Sequence, residues 1–375
     1  MNIVIVGGGT GGHLYPCLAL AHLFKMRAET EILFIGTKKG LEAKVVPHHG
    51  FRLETIWSEG VVGKSFLRKI RSLFLMLLGM MQSIQHLRRF SPNLVIGIGG
   101  YAAGPVIIAA FFLRIRRVIL EPNAIPGMMN KLLAPWVHLT VTSFQETASR
   151  LSARKIACLG VPVRSEIIAA ANSSEKRGAE GPKTVLVLGG SQGARTINQV
   201  MIEALPFLVG ESISMIHQTG EKDFIEVKEA YARYPIRARV EKFIDKMAEV
   251  YTQCDLVVSR SGAGTLSELA VAGIPSLLIP FRGALGHQQK NAEPFVACGA
   301  SEMFLEKDLI GEDGRFRGEK IAQRIKALFA NPQRLSEMRR SAKSLGHPNA
   351  ASDIVLACLE LIGEGARPWS AARPV

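Results

Sequence analysis

One pattern occurs twice in this 375-residue chain and does most to limit its fold. VIVGGGTGGH (4–13) and VLVLGGSQGA (185–194) each pass from a continuous apolar stretch through glycines into a helix-compatible segment. An apolar run without polar alternation suits a strand covered on both faces, and glycines after it suit a tight turn into a helix. Comparable runs recur between helix-length stretches at Ile3–Val6, Ile32–Ile35, Leu94–Ile98, Val118–Leu120 and Leu139–Val141. A second series follows at Val185–Leu188, Met215–His217, Leu256–Val258 and Ser276–Ile279. The pattern predicts an α/β chain of two Rossmann-like, doubly wound parallel-sheet domains, which its length also favours over one.

The boundary falls in 160–183, GVPVRSEIIAAANSSEKRGAEGPK, which lacks strand patterning. The expected domains are 1–163 and 164–345, with a last helix near 350–361 after Pro348 and a frayed tail beyond. The five cysteines show no CxxC pair or zinc spacing, and no charged-then-apolar leader precedes the first strand. Reduced thiols in a cytoplasmic protein are the expectation.

Charge is unevenly placed. Residues 1–163 hold 19 Lys and Arg against 7 Glu and no Asp; residues 164–375 hold 27 basic against 25 acidic. Between Glu59 and Glu121 there are nine basic residues and no acid. An anionic partner for the first half is implied. The chain is only 7% aromatic and shows no stacking module or zinc finger. Lipid or phosphate is therefore favoured, and no nucleic-acid partner is expected.

SLFLMLLGMM (72–81) is well short of the ~20 apolar residues that span a bilayer. It suits either a buried helix or an interfacial one. Lys64, Arg68, Lys69 and Arg71 flank it on one side and Arg88 and Arg89 on the other, with no counter-charge. An apolar wedge with a basic rim, 64–89, fits an anionic membrane surface.

Two more small-residue turns, GIGGYAAGP (97–105) and RSGAGTLSE (260–268), also follow apolar runs. Such turns expose backbone N–H groups and a helix N-terminus to an anion, at the strand ends where open α/β sheets bind ligands. Gly7-x-Gly9-x-x-Gly12 has dinucleotide spacing, yet Gly36-Thr37-Lys38-Lys39 follows the second strand without the acid that holds an NAD ribose. Its lysines leave an NADP-dependent oxidoreductase as the alternative, and a non-catalytic nucleotide-binding module as another. None of these four loops continues into Gly-Lys-Ser/Thr, so none of them reads as a Walker A loop. No Asp-x-Asp pair of the metal-dependent sugar transferases occurs, so neither metal nor cofactor is expected.

From residue 8 to 292 the chain contains, in order, GGTGGH, GGYAAGP, EPN, PGMMNK, GVPVR, GGSQGA, FID, RSGAGTLSE and HQQKNA. This ordered set closely resembles the bacterial lipid II-forming peptidoglycan glycosyltransferases. The resemblance implies a GT-B fold: two Rossmann-like domains facing a cleft, acceptor on the first, sugar nucleotide on the second, and the last helix packed back on the first. It implies inverting transfer of N-acetylglucosamine from UDP-N-acetylglucosamine to the C4 hydroxyl of lipid I, at the cytoplasmic face of the plasma membrane.

The roles carried over are these. Glu268 holds the UDP ribose; Ser191, Gln192 and Gly193 face the diphosphate or the cleft; Ala263, Gly264, Thr265, Leu266 and Ser267 frame the nucleotide phosphates. Arg164 neutralises leaving UDP, Ile244 faces uracil, and Gln288 and Gln289 bond sugar hydroxyls. Thr10, Gly11, Gly12 and Asn123 complete the donor contacts, and Gly9, Gly100, Tyr101, Gly104 and Asn130 serve the acceptor. Inversion needs a base for the acceptor hydroxyl and stabilisation of the leaving diphosphate. His13 and Glu121 are the catalytic candidates, His13 titrating in the right range; the alternative for His13 is to hold acceptor phosphate or cap the helix. The family often has His-Glu-Gln-Asn where this chain has Leu120-Glu121-Pro122-Asn123, so that histidine's role does not transfer.

Overall fold

The computed structural model describes residues 1–9, 11–27, 29–60, 66–173, 182–190, 193–283 and 286–364, with backbone only for 66–70 and 73. Thr10, Ser191, Gln192 and Lys64, and the side chains of Arg68 and Lys69, lie outside the described residues. The chain divides into two compact units, Met1–Arg164 with the segment from His347 onward, and Ser165–Gly346.

The first unit is built on seven parallel strands: β1 (Asn2–Val6), β2 (Glu31–Gly36), β3 (Arg52–Thr55), β4 (Leu94–Gly97), β5 (Arg116–Glu121), β6 (Leu139–Thr142) and β7 (Ile156–Cys158). Their order is β3-β2-β1-β4-β5-β6-β7. Successive strand residues point to opposite faces. Ile3 and Ile5 pack with the helices Gly11–Lys25 and Ala350–Leu361, while Val4 and Val6 pack with Phe66–Phe90 and Ala103–Phe112. Burial on both faces is why these strands read as unbroken apolar runs. Val6 pairs with both Ile35 and Gly97, and Gly97 pairs with Ile119. The loops after β1, β4 and β5 therefore leave one edge of the sheet side by side.

The second unit repeats the scheme with six parallel strands: β8 (Lys183–Leu188), β9 (Ile213–Gln218), β10 (Arg237–Glu241), β11 (Leu256–Ser259), β12 (Ser276–Leu278) and β13 (Ser301–Met303). Their order is β10-β9-β8-β11-β12-β13.

The strands β3, β7, β10 and β13 lie outside the runs read from the sequence; RLET and RARVE are charged segments at sheet edges, where solvent covers one flank. The stretch 160–183, which lacks strand patterning, contains the helix Ser165–Ser173, which buries Ile167 and Ala171 one turn apart.

The helix Phe66–Phe90 is neither wholly buried nor wholly interfacial. Leu75 and Leu87 are buried, whereas Phe74, Leu77 and Met81 form an exposed apolar stripe at helical spacing. Arg71 does have a counter-charge, Glu59 at 3.6 Å. Among the described residues, no helix is long and apolar enough to cross a membrane.

Candidate active site

In the first unit the site is assembled where β1, β4 and β5 end. His13 lies in the first turn of Gly11–Lys25, and its ring bonds the Gly8 backbone. Gly99 and Gly100 after β4 both take positive φ, at 60° and 78°. A side chain on Gly99 would begin 2.9 Å from His13 Nε2, and one on Gly100 would begin 3.0 Å from the Gly8 carbonyl. Glycine is required at both positions by conformation and by space. Surrounding protein holds the His13 pKa below the usual imidazole value, opposed by the Glu121 charge and by the bond to Gly8. The ring is therefore neutral at pH 7, and the nearby carboxylate favours its protonated form if it gains a proton.

Glu121 is 1% exposed. Its Oε1 accepts from Asn123 N at 2.9 Å and Asn123 Nδ2 at 3.1 Å; its Oε2 accepts from Gly127 N at 2.8 Å and Asn130 Nδ2 at 2.9 Å. Four donors fix the carboxylate and organise the 121–130 segment around it. Asn130, 4% exposed, also donates to the Leu120 carbonyl. Gly104 is buried with Met129 Sδ 3.0 Å from its would-be Cβ, a close helix contact. Tyr101 is well exposed, and its carbonyl accepts from Ser58 Oγ. The Arg164 guanidinium lies 4.6 Å over the Tyr15 ring.

Sequence reasoning missed Glu42. It lies five residues beyond Thr37 and is 1% exposed. It accepts from Gly9 N at 2.8 Å on Oε2, and from Thr37 N at 2.8 Å and Thr37 Oγ1 at 2.9 Å on Oε1. Side chains on Gly8, Gly36 or Gly40 would start within 2.5 Å of it. The Gly9 N–H, which such a loop would turn toward an anion, is thus used internally. The GTKKG spacing after β2 gives no hint that the acid beyond it folds inward.

In the second unit, Gln218 at the end of β9 ties two loops together. Its Nε2 donates to the Gly190 carbonyl at 3.0 Å, and its Oε1 accepts from Ile244 N at 2.9 Å. Beside it, buried His217 bonds Asn198 Oδ1 and the Tyr231 hydroxyl, with its pKa pushed down to about 3 by burial. Asn198 Nδ2 donates to the Thr219 carbonyl and to Asp223, fixing the turn on which Gly193 packs. Polar His217 and Gln218 closing an apolar run were the available signal for this network.

The helix Ala263–Ala272 starts after Gly262. Gly264 and Thr265 are partly exposed in its first turn, while Ala263 and Leu266 are buried and Ser267 Oγ donates back to the Ala263 carbonyl. Glu268 is in the second turn rather than the first, and its Oε2 accepts from the Tyr251 hydroxyl at 2.9 Å. Gln288 Oε1 accepts from Phe281 N and its carbonyl from Ser261 Oγ; Gln289 is exposed.

Residues 3–142 match the glycosyltransferase family 28 N-terminal domain, and residues 184–354 match the family 28 C-terminal domain. The chain belongs to glycosyltransferase family 28. Among family 28 relatives, proteins of Myxococcus xanthus and Geotalea uraniireducens are named UDP-N-acetylglucosamine--N-acetylmuramyl-(pentapeptide) pyrophosphoryl-undecaprenol N-acetylglucosamine transferase. The first is 41% identical over 366 residues, 96% of this chain and 93% of its own length; the second is 42% identical over 360 residues, 95% and 97%. The crystal structure of Acinetobacter baumannii MurG superposes with a TM-score of 0.77 at 26% identity, covering 96% of this chain and 99% of that one. The doubly wound pair of parallel sheets is the GT-B fold of family 28.

Proposed function

We propose that this family 28 enzyme transfers N-acetylglucosamine from UDP-N-acetylglucosamine to the C4 hydroxyl of MurNAc-(pentapeptide)-diphosphoryl-undecaprenol, with inversion, releasing UDP. The observation that carries this is full-length similarity to relatives named for that transfer. Nothing favours the oxidoreductase alternative, and Glu42, the acid beyond β2, is turned into the protein rather than toward a cofactor ribose.

In the mechanism, His13 accepts the C4 proton as the hydroxyl attacks C1 of the donor sugar. A neutral ring whose one N–H donates to a carbonyl carries its lone pair on the other nitrogen. The Glu121 charge favours the imidazolium that forms. Departing UDP is met by the N-terminal dipole and N–H groups of Ala263–Ala272, including those of Gly264 and Thr265. Glu268, oriented by Tyr251, receives the ribose hydroxyls, and Arg164 offsets the diphosphate charge. Ser191, Gln192 and Gly193 serve the diphosphate, Ile244 the uracil, and Gln288 and Gln289 the sugar. Thr10, Gly11, Gly12 and Asn123 contact the transferred sugar; Gly9, Gly100, Tyr101, Gly104 and Asn130 shape the acceptor side. The test is UDP release from UDP-N-acetylglucosamine on addition of a lipid I analogue. Turnover requiring both substrates is expected, and its absence would overturn the proposal.

The acceptor's polyprenyl tail lies in a bilayer, so the enzyme must work at the membrane surface, on the cytoplasmic face. We place the contact on the exposed stripe Phe74, Leu77 and Met81 with the basic residues of 64–89. Each such side chain contributes about 1.5–3 kcal/mol when fully buried. Co-sedimentation with anionic vesicles is expected to exceed that with zwitterionic ones and to fall as salt rises from ~0.1 to ~1 M. Equal recovery in the supernatant with and without vesicles is the opposing result.

A further inference from the structure

At the sheet edge opposite the glycine loops, a cavity of about 480 Å³ opens beside the start of β5, lined by Phe111, Phe112, Arg114, Arg117 and His138. Five residue steps along β5 separate Arg116 from Glu121, roughly 17 Å. The cavity is therefore distinct from the site around His13.

Arg117 is 94% buried (6% exposed). Its Nε donates to the Trp136 carbonyl at 2.7 Å and its Nη1 to the Ile115 carbonyl at 2.8 Å, with the guanidinium 4.8 Å over the Phe111 ring. Its third nitrogen, Nη2, has no protein partner among the described residues, and the residue lines the cavity. A second donor is His138. Its Nδ1 accepts from Arg117 N at 3.3 Å, so the neutral ring carries its proton on Nε2.

The surroundings add positive charge only. Arg154 acts against the charge of Arg117, and Arg116, Arg117 and Arg154 all act against protonation of His138. Among the described residues, none of Arg114, Arg116, Arg117 and Arg154 forms an ion pair. Arg114 holds φ 56°, a left-handed conformation that favours glycine. A buried cation without a counter-ion is costly, and so is an arginine in that conformation. An anion seated in the cavity offsets both.

We propose that this cavity binds the phosphate of a phosphate mono- or diester, held by Arg117 Nη2 and His138 Nε2 with Arg114 at the rim. Exposed Phe112 and Trp136 next to it accommodate an apolar neighbour of the phosphate. Either an anionic phospholipid headgroup or a free phosphate ester has this chemistry.

The experiment titrates full-length protein with inorganic phosphate at constant ionic strength, in saturating UDP so that the nucleotide loops are occupied. Thermal stability and ³¹P line width are read. A parallel arm uses a short-chain phosphatidic acid below its micelle concentration. Wild type is expected to gain stability with phosphate, and Arg117→Gln to weaken binding at least about tenfold. Arg114→Gly, which places glycine at the positive φ, is expected to fold at least as well as wild type, bind phosphate more weakly and keep its UDP-release activity. Tighter binding of phosphatidate than of phosphate by about tenfold assigns a headgroup; equal binding assigns a free phosphate ester. Binding by neither probe, or binding unchanged in both variants, overturns the proposal.

Discussion

His13→Ala is expected to lower kcat by about a hundred- to ten-thousand-fold while leaving the affinity for UDP within about twofold, since general-base catalysis typically contributes that much. The histidine sits in the first unit, and the groups proposed for UDP, Arg164 apart, lie in the second, so nucleotide binding and proton transfer separate experimentally. The pH profile gives an independent check. The base works when neutral, so kcat falls as pH drops through the His13 pKa. Burial lowers that pKa, which places the acid limb below the ordinary imidazole value of 6.5. A variant retaining full kcat assigns His13 to acceptor holding instead, and a change confined to acceptor KM says the same.

Glu121→Gln is expected to be nearly as severe, for two reasons that leave different traces. The carboxylate accepts four hydrogen bonds, two on each oxygen. A carboxamide keeps one oxygen and turns an NH₂ toward two donors, each stranded donor costing about 1–3 kcal/mol. A lower melting temperature follows. Neutralising the group also removes the charge that raises the His13 pKa, so the acid limb of kcat moves further down in pH. Removal of the orienting carboxylate in a serine-protease triad costs about ten-thousandfold, and a loss of at least about a hundredfold is expected here. A destabilised enzyme whose acid limb has not moved would mean that Glu121 acts on the loop alone.

The central strands were legible because both faces of each are buried, leaving few polar residues to blur the run. Edge strands such as RARVE were not, since nothing in five mostly charged residues distinguishes a sheet edge from a surface loop. His13 and Glu268 were legible through the motifs around them. Tyr251, Gln218, Asn198 and Glu42 were not, because their importance lies in partners 17 to 33 residues away that only the folded chain supplies. The motif marked Asn130 as a ligand contact and gave no sign that its amide group also spans the Leu120 carbonyl and the Glu121 carboxylate. Motifs mark which residues matter more readily than whether they touch the substrate or each other.

The inward-turned Glu42 bears on how the N-terminal loop keeps its shape. Gly8, Gly36 and Gly40 are small because a carboxylate fills the space their side chains would need. The four positions form one packed unit in this chain. Removing the glutamate would open space at all three glycines, and a side chain on any of them would push the carboxylate off Gly9 and Thr37. A transplant of the N-terminal loop into another Rossmann-like scaffold will therefore fail to reproduce its shape unless Glu42 travels with it, although more than thirty residues separate that acid from the loop.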